Sequence, residues 1–261
     1  MPEVGTLTYW GDIQLIPKSL YLGNEEVLLN AFTQTTASII TSGSRFYFDA
    51  NQWSGTGNLL SSFGSIPATS SLYGNVTKIT SPNGGAVMNI NTSSILIVSG
   101  SSTGVAVTGA SVETLILIAA SSGSSTSQHG RILNSDENWL FGTYGGNAIT
   151  TPDESQVAWF NGGFIINSGS YDTNFRMYVG LIHSATSQSI YVNNQYLTGQ
   201  SGANRYSYNG LYINKGVFTP PANTPGEITQ CEVGLIASYD RILSNEELTL
   251  LYNYYASSYG L

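Results

Sequence analysis

The side chains that could do chemistry in this sequence are few, and their spacing limits what they can do. Acidic residues cluster in "NEEV" (24–27), "SDEN" (135–138), "PDES" (152–155) and "NEEL" (245–248), all with the composition of turns or helix caps. The two histidines, His129 and His183, have no Cys or His partner at metal-ligand spacing, which argues against a transition-metal site. No Gly-x-Ser-x-Gly elbow accompanies them to support a Ser-His-Asp triad. "GTYGGN" and "FNGGF" are glycine-rich but lack the lysine and following helix of a phosphate loop. "NSDEN" and "TPDES" offer oxygen ligands, so calcium stays open as a cofactor, but neither matches an EF-hand and no motif supports it. The single cysteine, Cys231, lies in "ITQCEVGLIASY", which alternates like a strand. It reads as a buried structural thiol.

The remaining candidates are aromatic. Carbohydrate recognition needs an aromatic face to lie against sugar C–H groups and amide or carboxylate side chains to bond the hydroxyls. "ENWLFGTYGGN" supplies Trp139, Tyr144 and Asn147, and "QVAWFNGG" supplies Trp159 and Asn161. These five are the candidate glycan-binding residues. Strand alternation sends one of Trp159 and Phe160 into the core, so the bland reading of these aromatics competes with the functional one. The 17 tyrosines suit contact surfaces in general.

The elements that must position these groups are mostly strands. Residues 1–43 stand apart as an arm or small β module. Within it "IPKSLYLGNEEVLL" predicts a short strand, a Gly-Asn turn and a second apolar segment. Trp10, Leu20, Tyr21, Leu22 and Val27 are its candidate docking residues. From Ser44 onward, short apolar runs such as "SRFYFDA", "TLILIAA" and "FRMYVGLIH" are separated by Gly, Ser, Asn and Pro turns. Many short strands at regular spacing predict a sandwich or barrel. In "SRFYFDA" the alternation predicts a half-buried strand. The closing "SNEELTLLYNYYASSYGL" predicts the one convincing helix. Ser244 and Glu247 form a capping box, Leu248, Leu251, Tyr252 and Tyr255 make an apolar stripe, and Gly260 is placed to end it.

Composition removes several functions. The chain of 261 residues carries a net charge of −8 with only 8 Lys and Arg, so it lacks the basic stripe a nucleic-acid binder needs. No apolar run approaches the roughly 20 residues of a membrane helix, and the N-terminus lacks a signal-peptide pattern. The expectation is a protein made in the cytoplasm, with no nucleic-acid partner and no membrane insertion.

"EVGLIASYDRILSNEELTLLYNYYASSYGL" resembles the C-terminal signature of the laminin-G-like, concanavalin A-like lectin and glucanase superfamily. "SRFYFDANQWSGTGNLL" and "QSIYVNNQYLTG" are similar to its opening strand and turn and to its hairpin, with Asn194 where the family usually has Gly. The resemblance spans residues 44–261 and implies an all-β, two-sheet antiparallel jelly-roll sandwich with a short N-terminal arm and one C-terminal helix. Glucanases of this superfamily carry Glu-x-Asp-x-x-Glu on a strand, which sets two carboxylates about 5 Å apart. That pattern is missing here, so the expected protein is not an enzyme. "LTYWGDIQLIPKSLYLGNEEV" is similar to the openings of tailed-phage structural proteins. Together these resemblances imply a homo-oligomeric virion protein, docked to other virion proteins by its arm and displaying a lectin-like domain to a cell-surface glycan. A free-standing cellular lectin is the alternative, with a glycan hydrolase behind it.

Overall fold

The computed structural model describes residues 8–10, 13–15, 19–22, 25–28, 36–57, 69–73, 75–91, 95–99, 110–122, 131–135, 139–144, 156–161, 164–168, 173–201, 210–213 and 229–261. Two hairpins come first: β1 (Thr8–Trp10) with β2 (Ile13–Leu15), and β3 (Ser19–Leu22) with β4 (Glu25–Leu28). The second pairs Leu20 with Val27 and Leu22 with Glu25 around the expected Gly-Asn turn position. A short helix absent from the sequence expectation, α1 (Thr36–Thr41), follows them. Its Ile39 is fully buried among residues of the main domain, so residues 36–41 pack with the body.

The body is the expected all-β sandwich. Its strands are β5 (Ser44–Asp49), β6 (Thr69–Tyr73), β7 (Thr77–Thr80), β8 (Ala86–Ile90), β9 (Ile95–Ser99), β10 (Glu113–Ser121), β11 (Leu133–Asn134), β12 (Trp139–Tyr144), β13 (Gln156–Asn161), β14 (Phe164–Ser168), β15 (Arg176–Ser184), β16 (Ser187–Val192), β17 (Gln195–Ser201), β18 (Leu211–Ile213) and β19 (Cys231–Tyr239). An eight-stranded antiparallel sheet runs β17-β16-β15-β10-β19-β8-β7, with β5 also paired to β19. A seven-stranded sheet runs β14-β13-β12-β11-β18-β9-β6. Between them lies a core of Phe46, Phe48, Leu115, Leu117, Phe141, Trp159, Tyr178 and Val233 with their neighbours. Cys231 is buried in it, and burial pushes its thiol pKa up, as expected of a structural cysteine.

The eight-stranded sheet is covered on its other face as well. Helix α2 (Asn245–Tyr259) lays Leu248, Leu251, Tyr255 and Tyr259 over Tyr47, Ile116, Ile118, Leu235 and Ala237. This explains why β10 reads as the continuous apolar run "TLILIAA": a strand buried on both faces has no polar side to show. It also corrects the half-buried reading of β5, all six of whose residues are buried. Phe46 and Phe48 face the seven-stranded sheet, whereas Tyr47 lies under α2. The charged residues of β5, Arg45 and Asp49, are held by partners. Arg45 donates to Glu113 Oε1 at 3.1 Å, and Glu113 also accepts from the Ser238 hydroxyl and from Ala110 N–H. Removing one member of such a buried pair costs about 3–5 kcal/mol, because the other charge is left uncompensated.

The ends of α2 match their sequence signals. Ser244 and Glu247 cap each other's backbone N–H groups, and Gly260 adopts φ 69° and ψ 41°. Glu247 also receives both guanidinium nitrogens of Arg241 at 2.7 Å each. That bidentate pair joins the β19 exit to the first helical turn. At the other end, Tyr259 lies on Gly234, the extra residue where β19 slips register against β10. A Cβ there would come within 2.6 Å of Tyr259 Cζ. Gly234→Ala is therefore expected to destabilise the fold by about 1–3 kcal/mol, read as a lower denaturant midpoint. An unchanged midpoint would show that the helix can shift freely.

Buried tyrosine hydroxyls add a pH dependence. Tyr255 donates to Asp49 Oδ2 at 3.0 Å, and Tyr47 stands 2.6 Å from the Tyr255 oxygen. Burial raises the pKa of Tyr47, Tyr239, Tyr255 and Tyr259 above the ordinary value of 10.0. The folded state keeps these groups neutral, while the unfolded chain ionises them near pH 10. Their contribution is fully present below that pH and is lost as pH rises through it. Urea midpoints are expected to hold from about pH 7 to 9 and to fall steeply above about pH 10; a flat profile to about pH 11.5 would contradict this.

Candidate functional site

The aromatic residues singled out from sequence do not form one surface. Trp139 and Trp159 are 1% and 0% exposed and belong to the core between the sheets. Phe141 lies between them, at 6.1 Å from Trp139 and edge-on to Trp159 at 5.4 Å. The Trp159 ring reaches across to Gly180 of β15, where a Cβ would come within 3.1 Å. Neither indole face is open to a ligand, which corrects the reading of these two as sugar platforms. The physical reason is strand alternation: Trp139, Phe141 and Trp159 share the inward face, and Phe160 is the half-buried residue of its pair. Tyr144 is half-buried, with the Arg131 guanidinium 5.6 Å from its ring centre. Asn147 lies outside the described residues, as does the side chain of Asn161, whose backbone pairs with Trp139.

A different aromatic surface stands at the β17 edge of the eight-stranded sheet. β16 and β17 form a hairpin whose turn residues, Asn193 and Asn194, have φ of 48° and 61°. Both angles are positive, as a two-residue hairpin turn requires, and Asn is among the few non-glycine residues that tolerate them. Tertiary contacts hold this turn. The Asn193 side chain accepts from Met177 N–H at 2.9 Å, and Asn194 Nδ2 donates to Thr249 of α2 at 3.0 Å. Beyond the turn, Tyr191 and Tyr196 are directly opposite, edge to face at 5.4 Å.

Tyr196 is 59% exposed, the most exposed large apolar side chain among the described residues. Tyr191 is tethered by its hydroxyl to Asn245 Oδ1 at 3.3 Å. Beside the pair lie His183, whose Nε2 is 3.1 Å from Ser189 Oγ, and the bare backbone of Gly199. Together they bound an open hollow of about 410 Å³. One ring is fixed, one is presented to solvent, and an imidazole and hydroxyls stand alongside. This arrangement can stack on an apolar ligand face and hydrogen-bond its edge. The sequence held one usable signal: tyrosines flanking a two-residue turn must share a face. Which face, and that α2 would stop short of it, could not be read from the sequence.

Three of the described carboxylates are occupied in folding. Asp49 accepts from Tyr255 and Asn51, Glu113 pairs with Arg45, and Glu247 caps α2. Glu246 sits on the exposed first turn of α2, where hydrogen bonds from its own backbone N–H and from Ser244 lower its pKa. Among the described residues, no three His, Cys, Asp or Glu side chains converge on one point.

The class defined by these observations is a two-sheet antiparallel β-sandwich with a helix-covered back. No family model matches the sequence. No curated protein matches it either. Solved structures do. The binding domain of Paraclostridial Mosquitocidal Protein 1 is similar at a TM-score of 0.57 and 12% identity, over 83% of this chain and 53% of that one. The ligand binding domain of botulinum neurotoxin serotype D, solved with N-acetylneuraminic acid, gives 0.54 and 13%, over 84% and 52%. Domain 4 of AbnA, a GH43 extracellular arabinanase from Geobacillus stearothermophilus solved with arabinotriose, gives 0.53 and 10%, over 80% and 98%. The chain thus spans about half the length of the toxin domains and nearly all of the arabinanase domain. At these identities the likeness establishes the fold.

Proposed function

We propose that this chain is a non-enzymatic adhesion domain that binds a surface glycan through the Tyr191–Tyr196 shelf. The observation that carries this reading is Tyr196, an aromatic ring held open to solvent beside the tethered Tyr191, His183 and Ser189. A ring in that setting is a platform for the C–H face of a sugar, and the neighbouring imidazole and hydroxyl reach its oxygens. The similar domains support it, since two of them were solved with saccharide ligands. The non-enzymatic part rests on the missing paired-carboxylate run and on the structural use of Asp49, Glu113 and Glu247.

The finer part of the proposal is location. The protein belongs to a tailed-phage virion, where the hairpins of residues 8–28 dock it to other structural proteins and the sandwich faces outward as part of a homo-oligomer. Its support is the "YLGNEEV" resemblance and the separation of both hairpins from the two main sheets.

On a glycan array, the 261-residue chain is expected to bind at least one ligand, and Tyr196→Ala to weaken that binding about tenfold or more, equivalent to about 1.4 kcal/mol. The thermal midpoint should not change. Equal binding by the variant removes the shelf from the proposal. Deleting residues 1–28, which spares α1, should leave the domain folded and abolish its incorporation into particles. Normal incorporation would rule out the docking arm.

A further inference from the structure

The second large hollow, about 610 Å³, lies at the other end of α2, within the roughly 300–1,000 Å³ of small-molecule sites. Its rim is formed by the end of β7 and its turn to β8, with Thr80 and Asn83, by the approach to β15, with Thr173 and Asn174, and by Gly260. Thr80, Asn83, Thr173 and Asn174 are exposed. The Asn83 amide lies against the bare backbone of Gly260, where a Cβ would come within 2.3 Å of its Nδ2. Glu232 of β19 stands half-buried on the wall. Burial raises its pKa, and no lysine, arginine or histidine stands among the described lining residues to oppose this. Phe175 and Tyr259 pack ring to ring at 5.4 Å but are only 7% and 1% exposed. The hollow therefore offers hydrogen bonds and no stacking face.

The wall thus combines a carboxylate, which only accepts, with amides and hydroxyls, which donate and accept. A sugar matches that mixture: neighbouring hydroxyls can donate to the Glu232 oxygens while accepting from an amide such as that of Asn83. Bonds to an ionised acceptor are about twice as strong as neutral ones. Hydroxyl and ammonium donors both make them, so Glu232 sets no requirement for a positive ligand. What it opposes is negative charge. An acidic sugar would bring a second carboxylate beside Glu232 with no cation between them, where water screens less than in bulk. The C-terminal end of α2 adds the negative pole of the helix dipole. We infer that this hollow is a second saccharide subsite, one that holds an uncharged sugar unit by its hydroxyls and rejects the corresponding uronic acid, with Glu232 as the discriminating residue. The inference rests on the glycan-binding reading of the chain but uses none of the shelf residues.

The test is an array carrying trisaccharides of glucose, galactose and mannose beside those of glucuronic, galacturonic and mannuronic acid, titrated with the 261-residue chain. It is read in the Tyr196→Ala variant, which lacks the shelf ring, so that the hollow alone reports. At least one neutral trisaccharide is expected to bind, and at least about tenfold more tightly than its acidic counterpart. Glu232→Ala added to that variant should lower neutral binding about tenfold or more. Glu232→Gln, nearly isosteric, should instead narrow the neutral-to-acidic ratio to within about threefold while keeping the thermal midpoint. Absence of binding in Tyr196→Ala, equal binding of a neutral sugar and its acid, or a ratio that survives Glu232→Gln would overturn the inference. Failure of the shelf alone would appear as equal binding by the unmodified chain and Tyr196→Ala, with the Glu232 effects intact.

Discussion

The central strands of the eight-stranded sheet are buried on both faces, and the architecture follows from that constraint. β10 is buried along its whole length and β19 along all but one residue, with apolar side chains on both sides. One side meets the seven-stranded sheet across Phe141 and Trp159, and the other must be covered to keep apolar surface from water. Helix α2 provides the cover, and close approach sets its position. Tyr259 lies on the bare backbone of Gly234, and Gly85 N–H donates to Ser258 carbonyl at 2.9 Å. A buried hydroxyl without a partner costs about 1–3 kcal/mol. Two tyrosines of the helix avoid this cost by specific pairing, Tyr255 with Asp49 and Tyr259 with Ala86 carbonyl at 2.9 Å, whereas the buried Tyr239 hydroxyl has no partner among the described residues.

Covering the back of the sheet determines where a ligand can be met. The middle of the outer face is occupied by α2 and α1, and the inner face is core. Among the described residues, what this sheet leaves open lies at the margins of α2. The tyrosine shelf borders its N-terminal half, linked to it through Asn194–Thr249 and Tyr191–Asn245. The Glu232 hollow borders its C-terminal end through Tyr259 and Gly260. The helix therefore contributes to function by position: it buries most of one sheet face and shapes the two surfaces it leaves uncovered.

Much of the fold was legible because the signals are local. The capping box at Ser244 and Glu247, the αL residue Gly260 and the Asn193-Asn194 turn each depend on residues within four positions of one another. The candidate site was less legible. Trp139 and Trp159 looked like exposed platforms because sequence shows that alternate residues share a face but not which face is inward. α1 was missed because it is only six residues long and is held by contact with distant elements, Ile39 lying among residues of β5 and α2. "SRFYFDA" misled for a related reason: its polar residues looked solvent-facing, yet Arg45 pairs with Glu113 and Asp49 with Tyr255.

By itself the sequence determined the class of structure: strand periodicity, turn residues, helix ends, a burden of apolar runs too large for one exposed sheet, and the scarcity of groups for acid–base or metal chemistry. Tertiary structure alone decided which aromatics are core and which are presented, and which carboxylates are consumed by folding. It also decided that Glu232 of β19 is left half-buried at the margin of α2. The physical reason is range. Backbone preferences act over a few residues, whereas exposure and electrostatic environment depend on what the rest of the chain lays against each side chain.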